Sequence, residues 1–120
     1  MSEKDDQEKI FEYAQYRPDL KLMYHPANEG RRTVQHTMAL LRQGMKPGVP
    51  DIVLPVARGK YHGLYIELKA KGGRLTPEQR EWQLSLLEEG YCAAVCYGFE
   101  QAKQTIDWYM KGAKTWAAER

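Results

Sequence analysis

Asp51, Glu67 and Lys69 are the residues of this chain whose types and spacing point to chemistry. Two β-type runs, 51–56 and 63–69, flank a loop containing Gly59, and this pattern predicts a hairpin. Folded about Gly59, the hairpin sets Ile52 opposite Ile66 and Leu54 opposite Leu64, whereas a one-residue slip would scramble both faces. The same register sets Asp51 opposite Glu67. Directly opposed Cβ atoms lie about 4.5–5.5 Å apart, and like charges held there repel. Two compensations are open: Lys69, on the face of Glu67 by strand alternation, neutralises the pair, or a divalent cation sits between the carboxylates. Mg²⁺ suits the second, because it prefers hard oxygen ligands and takes one or two carboxylates, with water and phosphate oxygens filling its other positions. The backbone carbonyl of Leu68 would complete the protein's share. Lys69 would then reach a metal-bound water or a phosphate, where a cation orients a nucleophile and stabilises developing charge. A solvated Asp–Glu–Lys cluster at a sheet edge has the same spacing, which does not choose between the two.

The elements that must hold these residues are legible along the chain. Ile10, Phe11 and Ala14 share one face of an amphipathic helix over about 3–16 that stops before Pro18. Residues 20–25 form a short apolar run that reads as a strand, and Pro26, Asn28 and Gly30 mark a turn after it. Val34, Met38 and Leu41 predict a second helix over 31–43, closed by Gly44. Two prolines and a glycine in 46–50 exclude regular structure and deliver the chain stiffly into Asp51. Thr76-Pro77-Glu78-Gln79 is a helix start, with a threonine cap, proline at the first helical position and glutamine three residues after the cap. That helix runs through Trp82 and Leu86 to Gly90, a buried strand over 91–97 follows, and a last helix runs from Phe99 to about Met110. Helix, strand, helix, strand, strand, helix, strand, helix makes a mixed sheet flanked by helices in a three-layer α/β fold.

Composition narrows the class. The 120 residues, 42% hydrophobic and 28% charged, suit one globular domain, with a core about 5–110, rather than a disordered chain. No apolar run approaches the ~20 residues that span a bilayer, and the polar, acidic first nine residues are unlike a signal peptide, so the expectation is a cytoplasmic protein with no membrane partner. Cys92 and Cys96 lack a CxxC spacing and read as small buried residues in a reducing compartment. His25, His36 and His62 have neither metal-ligand nor triad spacing. The net charge of +2 is unevenly spread: residues 30–80 carry +7 and the remainder −5, a basic centre between acidic ends that suits a polyanion-binding face.

Several stretches together resemble the VRR-NUC (virus-type replication and repair nuclease) domain of the PD-(D/E)XK nuclease superfamily. They are His25-Pro-Ala-Asn-Glu-Gly30, Gly44-Met-Lys-Pro-Gly-Val-Pro-Asp51, Gly63-Leu-Tyr-Ile-Glu-Leu-Lys69 and Gly73-Arg-Leu-Thr-Pro-Glu-Gln79 followed by Trp82. The resemblance covers about residues 5–110 and is to a stand-alone form without accessory domains. It implies a restriction-endonuclease-like fold and a DNA endonuclease dependent on Mg²⁺ or Mn²⁺. Asp51, Glu67 and the Leu68 carbonyl would hold the metal, joined by Glu8 from the first helix, whose neighbours Glu3, Asp5, Asp6 and Glu12 are rivals for that place. Lys69 would be the catalytic lysine. Gln79 would match the family's helix glutamine, although a capping role explains it equally well. Asn28, Arg31, Arg32, Lys46 and Arg74 are candidate DNA contacts. The stand-alone form implies branched DNA as substrate, of the Holliday-junction type, and cutting two strands of a four-way junction implies a two-fold homodimer. A nicking or linear-DNA nuclease and a non-catalytic DNA-binding module are the alternatives. Trp82 and the apolar residues of the last two helices read as core or subunit interface.

Overall fold

In the computed structural model, which describes residues 2–27 and 32–113, four helices flank one three-stranded sheet. Helix α1 (Glu3–Ala14) opens on a Ser2 cap whose hydroxyl accepts the Asp5 N–H, while the Asp5 carboxylate reaches back to Ser2. Helix α2 (Val34–Arg42) starts at a Thr33 cap. Strands β1 (Ile52–Leu54) and β2 (Leu64–Lys69) form the hairpin, helix α3 (Pro77–Glu88) crosses over, strand β3 (Cys92–Tyr97) returns beside β2, and helix α4 (Phe99–Met110) closes the described chain.

The sheet order is β1-β2-β3. β1 and β2 pair antiparallel with Ile52 opposite Ile66 and Leu54 opposite Leu64, the register expected from the apolar pattern. β2 and β3 run parallel, with Glu67 beside Val95 and Lys69 beside Tyr97. A parallel pair needs a crossover of a dozen or more residues, and the loop at Gly73 and helix α3 supply it.

Strand alternation divides the sheet into two unlike faces. Ile52, Leu54, Leu64, Ile66 and Leu68 join Ile10 of α1 and Ala102, Ile106 and Tyr109 of α4 in the core. Leu54, Ile66, Ile10, Ile106 and Tyr109 are fully buried, and truncating one of the aliphatic ones to alanine costs about 2–5 kcal/mol. Tyr13 of α1 donates to Asp107 of α4, and Arg17 and Lys103 bridge to the same carboxylate at 2.8 and 3.3 Å. The bonds from Tyr13 and Arg17 fix α1 against α4 and so fix where the first turn of α1 meets the sheet, while Lys103 steadies Asp107 from within α4. The other face carries Tyr65, Glu67 and Lys69, with α3 beyond it. Both cysteines are buried and free, as their spacing implied.

Two expectations are corrected. Residues 20–25 are not a strand: Pro18–Leu20 form a 3₁₀ turn, and only Tyr24 bridges β1, by paired backbone bonds of 2.9 Å with Val53. Pro18 fixes φ for a tight turn, and the remaining residues are too few for a ladder. Helix α2 begins at Val34 rather than at 31, because the Thr33 hydroxyl accepts the His36 N–H and ends the preceding loop.

Candidate active site

The 45–50 loop is clamped before it delivers Asp51. Trp82 of α3 donates its indole N–H to the Pro47 carbonyl at 3.0 Å. Gly48 has φ +85° and lies so close to α3 that an added Cβ would stand 2.7 Å from the Glu78 backbone, a position only glycine fills without strain. Pro50 is buried.

Asp51 therefore emerges just ahead of β1, outside the ladder, and two bonds hold it. Its Oδ2 accepts the Leu68 N–H at 2.7 Å, and its carbonyl accepts from His25 Nδ1 at 2.6 Å. Leu68 lies two residues beyond Ile66, so its N–H and carbonyl both face the β1 side, where Asp51 stands. The carboxylates come together as the register predicts, with Asp51 beside Glu67.

Glu67 is only 2% exposed, and burial first, then the neighbouring Asp51, push its carboxyl up to about 9. Lys69 pulls in the opposite direction and Glu3 adds to the rise. Among the described residues no salt bridge joins the lysine to either acid, although it is itself only 8% exposed. Its stem runs beside Gly73, where a Cβ would stand 3.5 Å from Lys69 Cδ. One Glu67 oxygen, Oε2, accepts from Gln79 Nε2 at 3.2 Å, and the other, Oε1, is buried without a hydrogen-bond partner. A buried acid oxygen left bare costs free energy that a bound cation, displacing the proton, would recover. The donor set, two carboxylates and a backbone carbonyl, is all hard oxygen and fits Mg²⁺ or Mn²⁺.

Gln79 completes the helix cap and also contacts Glu67. Its Oε1 accepts the Thr76 N–H at 2.9 Å and its own N–H donates to the Thr76 hydroxyl at 3.1 Å, so the cap is complete while Nε2 remains for Glu67.

Glu8 is exposed and lines a cleft of about 440 Å³ with Glu3, Lys4, Gln7, His25, Asp51 and Leu68. Among the described residues, no three acidic, histidine or cysteine side chains approach closely enough to hold a metal ion, so Glu8 faces the site across the cleft. Of its rivals, Asp5 is engaged in the Ser2 cap, while Glu3 stands in the same cleft and has its Oε2 3.4 Å from the Ala70 N–H. Glu3 is one of the rivals that the sequence left open for this place, whereas His25 was set aside because its spacing fits neither a metal site nor a triad. The structure favours Glu3 among those rivals, because the first turn of α1 meets the end of β2. Lys46 lines a second cleft, of about 260 Å³, with His25, Asp51 and Gln79. Arg74 is exposed in the loop after β2, where the Tyr97 hydroxyl bonds the Gly73 carbonyl at 3.0 Å. Arg32 is half-buried at the start of the segment leading to α2, and Asn28 and Arg31 lie outside the described residues.

Comparison with known proteins shows the family and the fold. The family model for the VRR-NUC domain matches residues 3–100. A solved structure described as a VRR_NUC domain protein superimposes with a TM-score of 0.79 at 33% identity, over 92% of this chain and 89% of that one. No curated protein matches the sequence.

Proposed function

The chain belongs to the VRR-NUC domain family of PD-(D/E)XK nucleases, with DNA as the implied substrate, and from that premise we propose that it is a divalent-metal-dependent endonuclease selective for branched DNA. The observation that carries the metal reading is Glu67 Oε1, a buried oxygen without a partner beside a second carboxylate, with no salt bridge from Lys69 to either acid among the described residues.

Asp51, Glu67 and the Leu68 carbonyl would hold Mg²⁺ or Mn²⁺, with Glu8 reaching it through water. The ion supplies Lewis acidity to a phosphate oxygen and acidity to a water. Everything else is done by the chain. Leu68 N–H fixes one Asp51 oxygen and Gln79 fixes one Glu67 oxygen, so each carboxylate keeps its other oxygen for the site. Lys69 places an ammonium where negative charge develops on the phosphate, and its burial keeps that charge poorly screened by water. Lys46, Arg32 and Arg74 neutralise flanking phosphates, an interaction that positions the strand without reading its sequence.

A homodimer is the assembly we propose for a junction substrate. Val34, Met38 and Leu41, one stripe of α2, are 72, 53 and 44% exposed, and α2 buries none of its residues. An apolar stripe left to water on a small domain favours self-association. Cleavage of end-labelled junction and linear DNA with metal or EDTA tests the reading, and cutting of linear duplex as fast as junction would support the less selective nuclease instead.

A further inference from the structure

We propose that His25 is a positioning residue for Asp51, required for cation binding although it does not itself touch the cation; the inference rests on the metal-site reading above. Asp51 precedes β1, so no ladder bond holds its backbone; Leu68 N–H fixes one carboxylate oxygen, and the aim of the other depends on the peptide from which the side chain projects. The His25 imidazole supplies the missing anchor through the 2.6 Å bond to the Asp51 carbonyl. A carbonyl only accepts, so Nδ1 carries the hydrogen, and this holds for the neutral ring and the imidazolium alike.

The fold brings His25 there by a short and specific route. Buried Leu20 and Met23 pin the segment from inside, and the Tyr24–Val53 bridge aligns it antiparallel to the start of β1. Pro26 then restricts His25 to extended backbone and prevents a helical turn from drawing the ring away. The result is a partition: His25 and Asp51 are the two residues common to the 260 Å³ and 440 Å³ clefts. On one side stand Glu3 and Glu8, and on the other Lys46 and Gln79. Losing the imidazole would merge the two clefts and free the Asp51 peptide to rotate, which misaims the carboxylate between Leu68 N–H and Glu67.

Asparagine is the discriminating replacement, because its Nδ2, like imidazole Nδ1, is bonded to Cγ and donates, while nothing in it replaces Nε2. Mn²⁺ binding to the full chain without DNA would be measured by titration calorimetry for wild type, Asp51→Asn, His25→Ala and His25→Asn, with melting in EDTA as the folding control. Wild-type binding that Asp51→Asn abolishes establishes the site. His25→Ala is then expected to weaken Mn²⁺ binding about tenfold, the loss usual for a group that orients a metal ligand, and His25→Asn to restore it to within about twofold. Unchanged binding in His25→Ala overturns the proposal. Equal loss in both histidine variants overturns it too, and assigns the effect to Nε2. If His25→Ala fails to fold, the asparagine variant still decides, since only retained binding supports positioning through Nδ1. Absence of Mn²⁺ binding in the wild type removes the metal-site reading itself, and the proposal with it.

Discussion

Gln79 donates its side-chain N–H to Glu67 at 3.2 Å while the oxygen of the same amide is held by the Thr76 backbone. The start of α3 and the orientation of a buried acid are thereby one structural feature. Gln79→Ala is expected to lower the melting temperature by a few degrees, in line with a lost cap of about 0.5–1 kcal/mol, and to lower cleavage. Gln79→Glu keeps an oxygen for Thr76 but loses the donor to Glu67. Its melting temperature should stay near wild type while its cleavage falls as far as that of the alanine variant. Activity that simply tracked stability across the pair would reduce Gln79 to a cap.

Glu67 makes the metal-free fold sensitive to pH. Its folded carboxyl lies near 9, raised by burial and by Asp51, so the folded chain keeps a proton that the unfolded chain releases in the ordinary carboxylate range. This group's contribution to stability is therefore greatest in acid, declines as pH rises above about 4.5, and levels off past 9. Glu67→Gln should flatten that slope and raise the metal-free melting temperature at pH 8 by a few degrees, on the order of 1–2 kcal/mol. The same variant should abolish stabilisation by Mg²⁺. Thermal melts across pH 5–9 in EDTA and in Mg²⁺ check both halves, and a slope of opposite sign for this group, read as wild type minus variant, would contradict the burial argument.

In the proposed mechanism Lys69 would act on the reaction and not on the metal. Lys69→Met preserves the apolar stem beside Gly73 and removes the ammonium. Cleavage is expected to fall about 10²–10³-fold, the usual loss for one electrostatic contact to a developing anion, with Mn²⁺ affinity within a few-fold of wild type.

Lys46 and Arg74 are expected to share the work of holding DNA. Each alanine variant should weaken junction binding similarly on unrelated sequences and lower the slope of log K against log salt by about one. A loss confined to one sequence would mean base readout instead.

The α2 stripe gives the assembly prediction. Met38→Glu should shift a wild-type dimer to monomer mass by light scattering without lowering the monomer's helix content, since Met38 is 53% exposed. A wild-type monomer would remove the homodimer reading.

Much of this was legible in the sequence for physical reasons that can be named. The β1–β2 register followed from period-two apolar matching, which a one-residue slip destroys, and with it came the Asp51–Glu67 juxtaposition. The α3 start was equally plain, because proline and a capping box specify one geometry. The 20–25 run misled, since a short apolar stretch has the same composition in a strand as in a 3₁₀ turn ending in a single bridge. That Gln79 both caps and reaches Glu67 could not be read from spacing, because an amide has two ends and only the fold shows where the second one points. His25 was hidden for a related reason: its partner is a backbone carbonyl, which leaves no residue type to recognise at any spacing.

The most direct test of the account compares end-labelled four-way junction, flap and linear duplex DNA incubated with wild type and Lys69→Ala in Mg²⁺, Mn²⁺ or EDTA. The expected result is metal-dependent cutting, fastest on the junction, absent in EDTA and abolished by Lys69→Ala. DNA binding without cutting in either metal would contradict it, and would leave the buried pair Asp51 and Glu67 to be explained by structure alone.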